Sequence, residues 1–264
     1  KINRMTDKTC PLCNSRDIKV ICHNIRGSYP CKVLRCFSCE LIFLPDNMRN
    51  AETLDTFYQD EYEYNPPISK EASRPYEARL KLLRPYLNNQ NTRFLEIGCG
   101  AGHFIKYAKP YVKELIGLEL NKAQAEYCRK TYNVDVSSEQ IEKFQPHGQF
   151  DVVCCFQVLE HVPHPVDFLR TVLRFVKPNG ILVLDVPNSN EPLLNLYRVA
   201  GFQEFYFRKS HLFYYNTKSL SLLFKESGIK RYEIKLLQGY SLTNHFHWLY
   251  LKSPQPSVEV GYNF

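Results

Sequence analysis

Three glycines in five positions, Gly98-Cys99-Gly100-Ala101-Gly102, separate two segments of opposite habit. Before them, Arg93-Phe94-Leu95-Glu96-Ile97 reads as a buried strand; after them, His103-Phe104-Ile105-Lys106-Tyr107-Ala108 reads as a helix. Few architectures accommodate a strand, a glycine loop and a helix start in immediate succession. Glycine lets the backbone turn sharply and approach a ligand where a Cβ would clash. The helix start offers unpaired N–H groups, so the unit reads as a nucleotide-type site. The spacing is G-x-G-x-G, not the G-x-G-x-x-G of dinucleotide sites. Glu96 stands two residues before the first glycine, where a carboxylate would repel a pyrophosphate and suit an α-amino group.

The alternation of strand and helix continues. Glu114-Leu115-Ile116-Gly117-Leu118 reads as a strand ending at Glu119, an acid placed to take ribose hydroxyls. A helix over 122–131, a strand over 134–136 and a fourth strand over 150–156 follow. A helix over 166–176 ends before the turn Lys177-Pro178-Asn179-Gly180, and 181–185 is a fifth strand. This order predicts an α/β fold with a doubly wound parallel sheet and ligands at the carboxyl ends of its strands. Upstream, Tyr76, Leu80, Leu83 and Leu87 recur at helical spacing. Residues 46–75 carry Pro66, Pro67, Tyr62 and Tyr64 and read as a linker with a short helix over 51–59; the two tyrosines are placed to close over a cofactor.

Six of the ten cysteines lie in the first 45 residues. Cys10-Pro-Leu-Cys13 and Cys36-Phe-Ser-Cys39 form two C-x2-C turns, which suit four thiolates around one Zn²⁺ and outline a zinc ribbon. Too few apolar residues lie there for an independent core, so the metal would supply much of the folding energy. Cys22 and Cys31 are spare thiols, and Cys154 and Cys155 read as small buried hydrophobes. Nothing suggests a disulfide framework, which fits a reducing, cytoplasmic setting. No 18-residue stretch lacks charge, so no transmembrane helix is expected.

The formal net charge of +7 invites a nucleic-acid reading until it is located. Residues 1–50 hold nine Lys/Arg against four Asp/Glu, whereas the rest of the chain is nearly balanced. Four thiolates on one Zn²⁺ would lower the basic excess by about two. A near-neutral core with a modestly basic ribbon points to a small-molecule partner ahead of nucleic acid.

The run Phe94–Gly102 resembles motif I of class I S-adenosylmethionine-dependent methyltransferases. Phe150-Asp151-Val152-Val153, then Val158-Leu159-Glu160-His161-Val162, is similar to their fourth-strand motif; Lys177–Gly180 with Val186-Pro187-Asn188, and His211-Leu212-Phe213-Tyr214-Tyr215, resemble their later motifs. The N-terminal ribbon resembles that of a bacterial subgroup. The resemblance implies a doubly wound, mostly parallel, seven-stranded Rossmann-like sheet, with a ribbon over 1–45, a linking and cofactor-covering segment over 46–75, and a methyltransferase domain over 76–264. It implies that Glu96, Gly98, Cys99, Gly100 and Gly102 hold the methionine moiety of S-adenosyl-L-methionine. Glu119 would take the ribose, Leu120 and Ser138 would lie near the adenine, and Phe156 and Gln157 would flank the sulfonium. Ubiquinone-biosynthesis O-methyltransferases carry an acid where this chain has Gln157, so a Mg²⁺ site at Glu160 and His161 would lack one ligand.

Methyl transfer to a hydroxyl is helped by a general base. His161, just past the fourth strand, and His211 are the candidates, with Glu160 beside the first. His245 and His247 flank Phe246 in a strand-like alternation and read as surface residues. Seven aromatics between 202 and 215 could form a lid over an acceptor. The reading is O-methylation of a sugar, lipid or secondary-metabolite hydroxyl. Its rivals are an RNA methyltransferase gripping RNA with the ribbon, a C-methyltransferase of a nucleotide-linked sugar, and a scaffold with an inactive core.

Overall fold

A computed structural model describes residues 8–49, 74–88 and 90–253. Its strands are β1 (Ile18–Ile25), β2 (Tyr29–Cys36), β3 (Ile42–Phe43), β4 (Arg93–Ile97), β5 (Glu114–Leu118), β6 (Asp135–Ser137), β7 (Phe150–Phe156), β8 (Val176–Asp185) and β9 (Phe213–Tyr214). Its helices are α1 (Arg74–Leu83), α2 (Ile105–Ala108), α3 (Lys122–Tyr132), α4 (Pro165–Leu173), α5 (Pro192–Asn195), α6 (Ala200–Tyr206), α7 (Thr217–Ser227) and α8 (Leu242–Leu251). The segment 51–59, Tyr62 and Tyr64 lie outside the described residues.

The chain forms two compact units. Among the described residues, one holds 74–88, 90–159 and 167–185. Its sheet runs β6-β5-β4-β7-β8, all neighbours parallel. Phe94, Leu95, Val152, Val153, Cys154 and Cys155 are buried in the two central strands, because a parallel sheet is covered on both faces and its strands are apolar throughout. Helix α3 starts where the Asn121 side chain accepts from the Gln124 N–H and ends at Asn133 in the left-handed region. Helix α4 buries Phe168, Leu169 and Val172. Among the described residues five strands form this sheet, where seven were expected. Residues 230–239 follow α7, and no ladder includes them. Strand β8 begins earlier than expected. It takes in Lys177–Gly180 through a register shift against β7 and a left-handed Asn179.

The other unit holds, among the described residues, 8–49, 160–166 and 186–253. Its antiparallel sheet runs β1-β2-β3-β9, with Ile42 opposite Tyr214 and Phe43 opposite Phe213. The N-terminal segment therefore shares a sheet and core with residues from the last third of the described chain. Phe202, Phe207, Phe213, Tyr214 and Tyr215 are each 1% exposed or less, so these aromatics are core and not a lid. Each such burial contributes roughly 2–3 kcal/mol. Trp248 stands edge-on to Phe202 at 5.1 Å. The alternation around His245 proved to be helix α8, not a strand: Ser241 caps it, and Trp248 and His245 turn inward at helical spacing.

Candidate functional site

The glycine loop leaves β4 at its carboxyl end and is tied to the end of β5: the Gly98 and Cys99 N–H groups donate to Leu118 O at 2.7 and 3.0 Å. Gly98, Gly100 and Gly102 all have positive φ. At Gly102, with φ +83°, a Cβ would lie 2.5 Å from Cys128 Sγ and 2.8 Å from the Tyr132 ring, so close packing on α3 demands glycine there. The Gly100 N–H donates to Glu119 Oε2 and the Asn121 N–H to Glu119 Oε1, both at 2.8 Å. Burial raises the Glu119 pKa while these two N–H groups oppose the rise. Each oxygen keeps a lone pair for a hydroxyl donor.

Glu96, the residue before the last in β4, is 3% exposed, and its Oε2 has no hydrogen-bond partner among the described residues. Burial raises its pKa well above the ordinary carboxylate value, opposed by the charge of Arg79. A buried carboxyl oxygen without a donor fits an incoming ammonium group.

Arg79, on α1, and Asp185, at the end of β8, carry no motif and were not singled out in the sequence. Arg79 donates through Nε and Nη2 to Asp185 Oδ2 at 2.9 and 2.5 Å, and its guanidinium lies 4.6 Å from the Phe156 ring centroid. Gln157, at φ 56°, donates from its backbone N–H to Asp185 O at 2.8 Å and from Nε2 to Asp185 Oδ1 at 3.3 Å. Phe156 is buried edge-on against Phe104 at 4.9 Å. Glu96, Glu119, Phe156 and Gln157 are thus gathered at the carboxyl ends of adjacent parallel strands. Leu120 and Ser138 follow β5 and β6 on that edge, both half-buried. Cys99 differs from expectation. Its thiol is buried against Gly117 and hydrogen-bonds with Cys128, which with burial raises its pKa, so only its backbone belongs to the loop surface.

In the other unit, Glu160, His161 and His211 bring ligand-type atoms within 4.8 Å of one another. Glu160 is fully buried, and its Oε1 lies 3.9 Å from His161 Nε2. His161 Nδ1 donates to Ser210 O at 2.8 Å, because a carbonyl can only accept. This assigns the tautomer and leaves Nε2 as the basic nitrogen. Burial lowers the His161 pKa to about 4, so the ring is neutral near pH 7. His211 stands edge-on to His161 at 4.8 Å and is likewise held neutral by burial. Two imidazoles and one carboxylate suit a transition-metal ion better than Mg²⁺, which favours oxygen ligands. The donor set does not fit Mg²⁺. His245, expected at the surface, has its side chain 14% exposed, with Nε2 3.1 Å from Glu191 Oε1.

Cys10, Cys13, Cys36 and Cys39 converge, with Sγ separations of 3.6 Å for Cys10–Cys39 and 3.5 Å for Cys13–Cys36. Tetrahedral Zn–S bonds of about 2.3 Å put sulfurs about 3.8 Å apart, so the cluster fits one Zn²⁺.

Comparison with known proteins follows the same line. A family model described as a methyltransferase domain matches residues 68–233. A ubiquinone biosynthesis O-methyltransferase of Pseudomonas aeruginosa is 30% identical over 167 residues, covering 58% of this chain and 71% of that protein. One of the same name from Acinetobacter baylyi is 24% identical over 184 residues, covering 64% of this chain and 74% of that protein. Among solved structures, the YcgJ protein of Bacillus subtilis matches with a TM-score of 0.47 and 23% identity, over 58% of this chain and 67% of that one.

Proposed function

The chain belongs to the class I S-adenosylmethionine-dependent methyltransferases, and on that premise we propose that it O-methylates a small molecule carrying a sugar, lipid or secondary-metabolite hydroxyl. The proposal rests chiefly on the assigned His161 tautomer. With Nδ1 tied to Ser210 O, the neutral imidazole keeps Nε2 as a proton acceptor beside buried Glu160, while burial holds it a weak base. The name shared by the relatives from Pseudomonas aeruginosa and Acinetobacter baylyi supports an oxygen acceptor.

When bound, S-adenosyl-L-methionine supplies an electrophilic methyl group for in-line displacement. Glu96 takes the ammonium of its methionine moiety, and Arg79 faces the carboxylate. Glu119 accepts from the ribose hydroxyls, the Gly98–Gly102 loop gives the backbone close approach, and Phe156 and Gln157 line the approach to the sulfur. His161 Nε2 is the candidate base for a hydroxyl proton. Glu160 stabilises the imidazolium that results, while Ser210 O holds the ring in place. Cys10, Cys13, Cys36 and Cys39 would hold a zinc ion that ties their two turns together. The free thiols suit a reducing compartment.

Titration calorimetry with S-adenosylhomocysteine tests the cofactor half: one site per chain is expected, and no binding at millimolar ligand overturns it. His161→Gln tests the base. With a hydroxyl acceptor in hand, kcat should fall roughly 10²–10⁴-fold while cofactor affinity stays constant. Unchanged kcat removes His161 from the mechanism.

A further inference from the structure

Seven of the fourteen exposed large apolar side chains among the described residues fall between Tyr232 and Leu251. Leu242, Phe246 and Tyr250 are spaced four apart on α8 and are 78%, 58% and 80% exposed, so they form one stripe. The opposite face is fixed inward by buried Trp248 and by the His245–Glu191 pair. Leu236 and Leu237, in the loop ahead of the helix, are also exposed. Isolated apolar residues at a surface need no explanation, but a stripe continued by a loop does.

The charges around it are one-sided. Residues 229–253 contain Lys230, Arg231, Lys235 and Lys252 against Glu233 alone, and Glu233 is paired with Lys235 at 3.5 Å. From Leu236 to Leu251 there is no Asp, Glu, Lys or Arg. The ten residues of α8 span about 15 Å, too short to cross a bilayer and suited to lie in its plane. Twofold self-association through this face would set the same basic segment against itself.

We infer that the α8 stripe, with Leu236 and Leu237, docks on an anionic lipid surface. The apolar side chains enter the headgroup boundary while Lys230, Arg231, Lys235 and Lys252 face the lipid charge. This goes beyond the proposed transfer reaction and does not depend on it.

The test is flotation of the full chain with vesicles. Binding is expected to vesicles of phosphatidylcholine with one-third phosphatidylglycerol, and to be far weaker with phosphatidylcholine alone. The triple variant Leu242→Ser/Phe246→Ser/Tyr250→Ser should lose binding by about tenfold or more. Lys230→Gln/Lys235→Gln/Lys252→Gln should lose about fivefold per charge. Retained S-adenosylhomocysteine affinity shows that the variants are folded. Failure of the wild-type chain to float with the mixed vesicles overturns the inference. So does binding unchanged in the serine variant, or a dimer in light scattering that the serine variant disperses.

Discussion

Glu96 carries its charge at a cost, and its substitution separates binding from stability. Burial favours the protonated carboxyl, so with no ligand bound the group contributes stability below the ordinary carboxylate pKa. That stability is lost as pH rises through the raised value. An ammonium group in the cradle reverses the preference, and binding should expel a proton. Glu96→Gln should weaken S-adenosylmethionine binding by about 10–100-fold and abolish that proton release. Calorimetry in buffers of different ionisation enthalpy reads both. His161 has the opposite sign. Its pKa falls from 6.5 to about 4, so its contribution is full above pH 6.5 and lost as pH falls toward 4. Thermal melts across that window should show stability declining with acidity, less steeply in His161→Gln. At Gly102, alanine would need left-handed backbone and would meet Cys128 and Tyr132. Gly102→Ala should cost about 1–3 kcal/mol in denaturant unfolding and impair cofactor binding.

Elements differed in how readily their sequence disclosed them. The parallel strands were legible because burial on both faces leaves unbroken apolar runs such as Val152–Phe156. Helix α8 was not, since Asn244-His245-Phe246-His247-Trp248 alternates like a strand over five residues. The Ser241 cap and the inward packing of Trp248 decided in favour of the helix. Strand β9 was also hidden. Its two residues find their partner in β3, far away along the chain, and no local pattern encodes such a pairing. Helix α7 has both ends fixed by its own residues. Asn216 and Ser219 form a reciprocal capping box at its start, Gly228 closes it in the left-handed region, and Asn216 Nδ2 also donates to Glu40 at 2.8 Å. Asn216→Ala should therefore cost about 1–2 kcal/mol, readable as a shifted denaturant midpoint at constant slope.

For the whole molecule, the cofactor cradle was legible because its parts are consecutive: strand, acid, glycine loop. Arg79 and Asp185 were not, because a helix and a strand end far apart in sequence bring them together. The cysteine cluster was legible from spacing alone, but its setting was not. Its strands belong to a sheet completed by β9 and to a core containing Phe207, Tyr214 and Trp248. Metal removal should therefore reach beyond the two turns. Treatment with a strong chelator should release about one Zn²⁺ per chain and lower the melting temperature. Enhanced proteolysis should appear within residues 186–253 as well as near the cysteines. Cleavage confined to the first 45 residues would count against that coupling.

The pairing of β3 with β9 also sets an order of events during synthesis. The cysteine turns leave the ribosome well before β9 and have every ligand needed to load metal. Ile42 and Phe43 then wait for Phe213 and Tyr214, which emerge only after the whole parallel sheet has been made. Until then the nascent chain displays an open β edge on an otherwise finished metal site. A translational pause before residue 213 would prolong that exposure.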